Sequence, residues 1–190
     1  MKHRHFMLFK PCGYLSQFRN NGPRRHSKKL LGGFSDFPAG IMAVGRLDEN
    51  SEGLLLLTTD GKVSDRICRG GLDKEYYAQV DGEITEAALE RMREGVEIGV
   101  VGEKYHTKTC TARVLKNVPD LPKGRKIRDA RHGPTSWVSI TVREGKNRQV
   151  RKMTAAVGFP TLRLIRVRIG TLFLNGMLPG EVREVQGFFS

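Results

Sequence analysis

The chain has 190 residues, 38% of them hydrophobic, enough to bury one sizeable core or two small lobes that share one. Lys and Arg total 33 against 20 Asp and Glu, a net charge of +13, which points to a polyanion, nucleic acid first; a basic structural protein or charge kept for solubility is the plainer reading. Cys12, Cys68 and Cys110 stand far apart with no CxxC spacing, which argues against a disulfide framework or a zinc site and fits a reducing cytoplasm, and no apolar run is long enough to span a membrane or to form a signal-peptide core.

In chain order, the first feature is a basic stretch, FRNNGPRRHSKKLLGG, residues 18–33, which carries Arg19, Arg24, Arg25, Lys28 and Lys29 with no acid. Its Gly, Asn and Pro break regular structure, so it reads as a loop. Residues 53–58 form a continuous apolar run suited to a buried strand, and Asp60 then caps a short helix to about Cys68. A strand over 76–80 follows. Thr85 caps EAALERMREG, in which Ala88, Leu89 and Met92 share one face and Gly95 closes the end. Segments 109–115 and 137–143 are strand-like and pair as an antiparallel ribbon across a second basic loop, 116–136, with Lys116, Lys123, Arg125, Lys126, Arg128 and Arg131. Asn147 caps RQVRKMTAAVG, which Gly158 and Pro160 end. In LRLIRVRIG, residues 162–170, Ile165, Val167 and Ile169 face one side and Arg166 and Arg168 the other. Strands and helices alternate without strict βαβ order, which predicts an α+β fold with a largely antiparallel sheet. Either basic loop alone is explained by solvation; two on one basic chain favour phosphate contact.

Within GRLDENSEGLLLLTTDG, residues 45–61, Asp48 stands at the mouth of the most apolar segment. Three jobs fit it. It braces the turn DENSEG, as most turn aspartates do. It ligates a metal, for which no His or carboxylate cluster stands at suitable spacing. Or it is a catalytic carboxylate mounted at the end of a buried strand.

That segment resembles the signature of the RNA pseudouridine synthases, of the branch that modifies ribosomal RNA at single uridines. FKPCGYLSQ (9–17), DKEYYAQV (73–80) and EGKNRQVRKMTAAVGFPTLRLIRVRIG (144–170) resemble three further motifs of that family and follow in its order, so the resemblance spans nearly the whole chain. It implies a cofactor-free and metal-free isomerase, a cytoplasmic monomer acting on large-subunit (23S) ribosomal RNA. It implies a single catalytic domain over 1–190, with two α+β subdomains flanking a central cleft as a variant of that plan. Asp48 would be the catalytic aspartate, Tyr76 would stack on the target base, and Arg151 would pair with Asp48. Arg46 would lie against the RNA and Leu164 would form an apolar wall of the base pocket. Lys10, Lys74 and Arg148 belong to matching motifs and are expected at the RNA, although positioning a loop or pairing with a surface acid explains Lys10 and Lys74 as well. Arg24, Arg25, Lys28, Lys29, Arg125, Lys126 and Arg128 are the loop cations expected on phosphate. Many relatives carry a small S4-type RNA-binding domain ahead of the catalytic domain, whereas only a few residues precede the first motif here. Either that domain is absent or the N-terminus is trimmed, and the basic loops then supply more of the grip.

Pseudouridine formation breaks the bond from ribose to N1 of uracil and remakes it to C5. The target must first leave its stack, at a cost of roughly a few kcal/mol that aromatic stacking and an inserted basic side chain offset. A carboxylate in so dry a pocket tends to protonate unless a cation stands by; a guanidinium in contact supplies on the order of 4 kcal/mol at an effective dielectric of about 20. The rival from another class is a non-catalytic RNA-binding or ribosome-assembly protein, which has no use for an acid facing an anionic ligand.

Overall fold

The structure, a computed structural model, describes residues 2–19, 28–124, 127 and 130–189. In chain order the strands and helices are β1 (His5–Lys10), β2 (Met42–Val44), β3 (Glu52–Thr58), α1 (Gly61–Arg69), β4 (Lys74–Asp81), α2 (Glu86–Glu94), β5 (Glu97–Val100), β6 (Glu103–His106), β7 (Thr111–Val114), β8 (Thr135–Val142), α3 (Gln149–Ala156), β9 (Thr161–Ile169), β10 (Leu172–Phe173) and β11 (Val182–Val185). This is the mixed α+β architecture expected, with mostly antiparallel strands. The chain divides into two compact units, residues 1–72 with 166–190, and residues 73–165.

In the first unit β3 is the centre. Every residue of EGLLLLT is buried, because both faces of the strand are covered and neither needs a polar alternation. One edge of β3 pairs antiparallel with β1, from His5↔Thr58 to Lys10↔Gly53, and β1 pairs in turn with β11. The other edge is shared. β2 takes Leu56 to Thr58, and Gly53 lies against the backbone of Arg166, where an added Cβ would sit 2.2 Å from the Arg166 carbonyl oxygen. With φ at +106° as well, position 53 admits only glycine. Arg166, predicted to share the polar side of its strand with Arg168, is 4% exposed and donates from Nε to the Leu54 carbonyl at 2.8 Å. The main chain of β3 supplies an acceptor for Nε of this buried arginine, while its Nη2 is buried without a hydrogen-bond partner among the described residues.

The Asp60 carboxylate caps α1, accepting from the N–H groups of Lys62 (2.8 Å) and Val63 (3.2 Å). Thr85 caps α2 through the Ala88 N–H at 3.2 Å.

In the second unit β8 pairs antiparallel with β4, from Lys74↔Val142 to Asp81↔Thr135, and with β7, from Thr111↔Thr141 to Val114↔Val138, which is the predicted ribbon across the second basic loop. Ala88, Leu89 and Met92 of α2, Val150 and Met153 of α3 and Val157 just after it pack with Ala78, Val138, Ile140 and Leu164 in one core. The hairpin of β5 and β6 pairs as a separate two-stranded sheet, which the sequence did not suggest.

The start of α3 differs from the expected Asn147 cap. The helix opens at Gln149, with Arg148 at the cap position in the left-handed region (φ 53°, ψ 32°) and no side-chain cap. The Gln149 side chain closes the preceding turn instead, its Oε1 accepting the Lys146 N–H at 3.0 Å.

Candidate active site

In the first unit, Asp48 occupies a turn between β2 and β3 whose backbone is tied down at several points. The Ser16 hydroxyl donates to the Leu47 carbonyl at 2.7 Å and accepts the Leu47 N–H at 2.9 Å, fixing the residue before Asp48 on both sides. The Ser51 N–H closes the turn onto the Asp48 carbonyl at 3.0 Å, and the Gly13 N–H donates to the Glu49 carbonyl at 2.7 Å. Leu47 is buried, Asp48 half-buried and Arg46 exposed, so the turn carries the carboxylate from a core leucine toward solvent within one residue.

Lys10 lies in the same turn system. It is fully buried, and its Nζ donates to the carbonyls of Tyr14 (2.7 Å) and Pro11 (3.0 Å), with a longer contact to that of Glu49 (3.4 Å). An ammonium has three donors, and here they meet three main-chain oxygens. Burial pulls its pKa down to about 8, while the neighbouring charges of Cys12, Glu52, Asp48 and Glu49 pull the other way. Of the two readings of Lys10, RNA contact and loop positioning, its complete burial favours the second, as the staple that holds the 11–14 segment to the Asp48 turn.

Lys28 and Lys29 are exposed. The Lys28 ammonium spans both Glu49 carboxylate oxygens at 2.9 and 2.8 Å, and Lys29 stands 5.6 Å from the Tyr14 ring centroid. Arg24, Arg25, Arg125, Lys126 and Arg128 lie outside the described residues.

The second unit holds the other residues singled out. Tyr76 is on β4 opposite Ile140, half-buried and packed against the core that contains Leu164. Leu164 is 5% exposed, a core side chain. Lys74 is half-buried opposite Val142. Arg151, half-buried on α3, donates from Nη1 to the Thr161 carbonyl at 3.3 Å, and Arg148 is exposed at the helix start. Sequence reasoning missed the groups that fix this helix start, a set of donors gathered on the Glu144 carboxylate. The only local signal was the Glu-to-Gln spacing inside EGKNRQ. Among the described residues no three His, Cys, Asp or Glu side chains gather as a metal site, and no helix is long and apolar enough to cross a membrane.

A fixed carboxylate turn at the head of a buried strand, on a strongly basic chain, is consistent with the resemblance, and comparison with known proteins decides the family. A sequence profile described as RNA pseudouridylate synthase matches residues 4–156. The chain belongs to that family. It is 40% identical over 182 residues to the ribosomal large subunit pseudouridine synthase E of Xanthomonas campestris pv. campestris, covering 93% of this chain and 92% of that protein. To the protein of the same name in Vibrio vulnificus it is 37% identical, over 96% of this chain and 75% of that one. A crystal structure of a pseudouridylate synthase superposes with a TM-score of 0.76 at 29% identity, over 96% of this chain and 70% of its own. The enzyme is therefore an isomerase acting on RNA, and the reading as a bare RNA-binding protein gives way to it.

Proposed function

We propose that the enzyme isomerises one specific uridine of large-subunit ribosomal RNA, with Asp48 as its catalytic carboxylate. The substrate reading rests on the relatives named above, whose names assign them to the ribosomal large subunit. The observation that carries the Asp48 reading is its mount. A carboxylate fixed by neighbouring backbone bonds, one residue from a buried leucine and ahead of a wholly buried strand, has the tolerance that catalysis needs and that a merely turn-bracing aspartate does not.

In the reaction the bond from C1′ to N1 breaks, uracil turns, and the bond from C1′ to C5 forms; the C5 proton leaves and N1 regains one. Attack at C1′, addition at C6 and removal of the 2′ proton all call on the same ionised carboxylate. Tyr76 stacks on the extruded base, and its hydroxyl, directly or through water, takes the C5 proton. Arg151 supplies the cation that the family pattern pairs with the aspartate, and Arg46 offsets part of the cost of unstacking the target. Lys28, Lys29, Arg148 and the other loop cations hold phosphate. No resident metal or cofactor has a part in this scheme, and a monomer suffices for it.

The test is release of tritium from C5-labelled uridine in large-subunit ribosomal RNA. Wild type releases it, and Asp48→Asn retains RNA binding while losing release by about 10³-fold or more, the scale on which a key catalytic group acts. Equal release from the two proteins removes Asp48 from the reaction. Release from small-subunit RNA but not from large-subunit RNA overturns the substrate.

A further inference from the structure

The second unit carries a half-buried polar cluster, with Gln149 its one buried member, that the reaction scheme does not use. Glu144 follows β8 by two residues, and three donors converge on its carboxylate. The Tyr105 hydroxyl donates to Oε2 at 2.5 Å, and the Lys108 N–H and the Gln149 side-chain amide donate to Oε1 at 2.9 and 2.6 Å. Tyr105 and Lys108 are 39 and 36 residues away in sequence, so the carboxylate ties the β5–β6 hairpin to the loop before α3. Gln149 is 4% exposed and works in both directions. While its amide reaches Glu144, its Oε1 accepts the Lys146 N–H at 3.0 Å and its backbone N–H donates to the Lys146 carbonyl at 3.1 Å. Lys146 completes the ring of contacts with its ammonium 4.5 Å from the Tyr105 ring centroid.

Between these anchors lies a residue in an unfavourable conformation. Arg148 is in the left-handed region, which disfavours any side chain with a Cβ and persists only where the surroundings fix it. α3 has no capping side chain, so the turn that leads into it depends on Gln149, and Gln149 depends on Glu144. The residues so aimed are the two arginines of RQVR.

We infer that Glu144 is a positioning residue for the reaction: a carboxylate clamp that, through Gln149, Tyr105 and the Lys108 backbone, holds the start of α3 so that Arg148 meets the RNA and Arg151 keeps the orientation its role beside the catalytic carboxylate needs. This rests on the reading of those arginines given above. The clamp touches no substrate. Gln at position 144 keeps the size but puts an amide where the carboxylate accepted from donors, and Tyr105→Phe removes one of those donors without touching the others.

The experiment measures three quantities on the full chain for Glu144→Gln, Tyr105→Phe, Arg148→Ala and the Glu144→Gln/Arg148→Ala double variant. They are amide hydrogen exchange over residues 145–151, the Kd for a large-subunit RNA fragment, and kcat and KM for tritium release. The clamp predicts exchange in that segment faster by about tenfold or more in Glu144→Gln, with α2 and β4 unchanged. It predicts RNA binding weaker by about tenfold, a smaller loss in Tyr105→Phe, and a double variant no worse than Arg148→Ala for binding. A purely structural role for Glu144 moves exchange everywhere and leaves the two losses additive. Unchanged exchange, or strict additivity, overturns the inference. If Arg148→Ala itself leaves Kd and KM untouched, the reading of Arg148 as an RNA contact fails, and the exchange data alone then decide the clamp.

Discussion

The Asp48 turn and the loop that leads into α3 meet the same demand, a charged side chain held still, with opposite chemistry. In the first unit a buried cation, Lys10, gathers main-chain carbonyls; in the second a carboxylate, Glu144, gathers donors. The difference follows from what each segment leaves unpaired. The turns at 11–14 and 48–51 present main-chain oxygens that only a donor can satisfy, whereas around Glu144 the groups to be satisfied are donors, the Tyr105 hydroxyl, the Lys108 N–H and the Gln149 amide, which only an acceptor can meet. The two devices also respond differently to pH. Burial pushes Glu144 up, and hydrogen bonds from the Tyr105 hydroxyl, the Lys108 N–H and the Gln149 amide outweigh it, holding the carboxyl below the ordinary value. The charged groups facing Glu144 are Lys108 and, over the Tyr105 ring, Lys146, with the Cys110 thiol held protonated by burial. A depressed acid contributes stability above its ordinary value and loses it only as pH falls through the lower one, so the clamp is intact at neutral and alkaline pH. Lys10 is depressed too, but as a base it is the staple that alkali discharges.

The strand that mounts the Asp48 turn offers the severest way to break this comparison. Gly53→Ala places a methyl 2.2 Å from the Arg166 carbonyl oxygen at a φ of +106°, where nothing but backbone movement relieves it. The expected cost is about 3 kcal/mol or more in urea unfolding, with activity lost alongside. A variant that stays within about 1 kcal/mol of wild type shows that β3 yields, and the rigid-mount argument for Asp48 goes with it.

Lys10→Met comes next. It fits an apolar chain of similar length into a fully buried site and leaves the carbonyls of Pro11 and Tyr14 without their donor, at an expected cost of about 2–4 kcal/mol. The sharper test is pH. Because the folded chain holds Lys10 near 8 against an ordinary 10.5, it binds fewer protons than the unfolded chain between those values, and stability rises with pH across that window. Over the same window the ammonium that staples the Asp48 turn is lost. Wild type is therefore expected to lose kcat while gaining resistance to urea as pH rises through 8, and Glu144→Gln to keep that divergence. If kcat and stability move together, Lys10 does not orient the turn.

How much of this was legible in the sequence follows from where the partners lie. β3 was readable from its leucines, α1 and α2 from Asp60 and Thr85, and the β7–β8 ribbon from its two flanks, because each signal is local. Asp48, Tyr76 and Arg151 were reached through ordered motifs, and composition alone would have left Asp48 a turn residue. For Lys10 the sequence left RNA contact and loop positioning open, because its partners are carbonyl oxygens, which every residue has and no letter records. The helix start was displaced by one residue because Gln149, a poor cap by propensity, does the work from inside the helix. Beyond its spacing from Gln149, Glu144 gave no sign of its role, since Tyr105 and Lys108 reach it only through tertiary structure, and the hairpin that carries Tyr105, EIGV and EKYH, has no clear alternation.

The mildest test asks whether the Asp48 turn is held from beneath, as the comparison requires, or from its exposed side. Glu49 joins both. Its carbonyl is gripped by the Gly13 N–H, and its carboxylate holds the Lys28 ammonium at 2.8 Å, a pair with 41% and 35% of the two side chains exposed. Exposed pairs of this kind contribute little to stability. Glu49→Gln keeps the carbonyl and removes the charge, so urea unfolding and kcat are expected to stay at wild-type values. Lys28, which in the wild type divides its charge between Glu49 and phosphate, then turns wholly to phosphate, and the salt dependence of RNA binding steepens by up to about 0.7 in log–log slope, the share of one contact on a single strand. A collapse of kcat in Glu49→Gln means that the surface pair, and not Lys10, fixes the turn, and the two units then hold their charges by less contrasting means than their buried groups suggest.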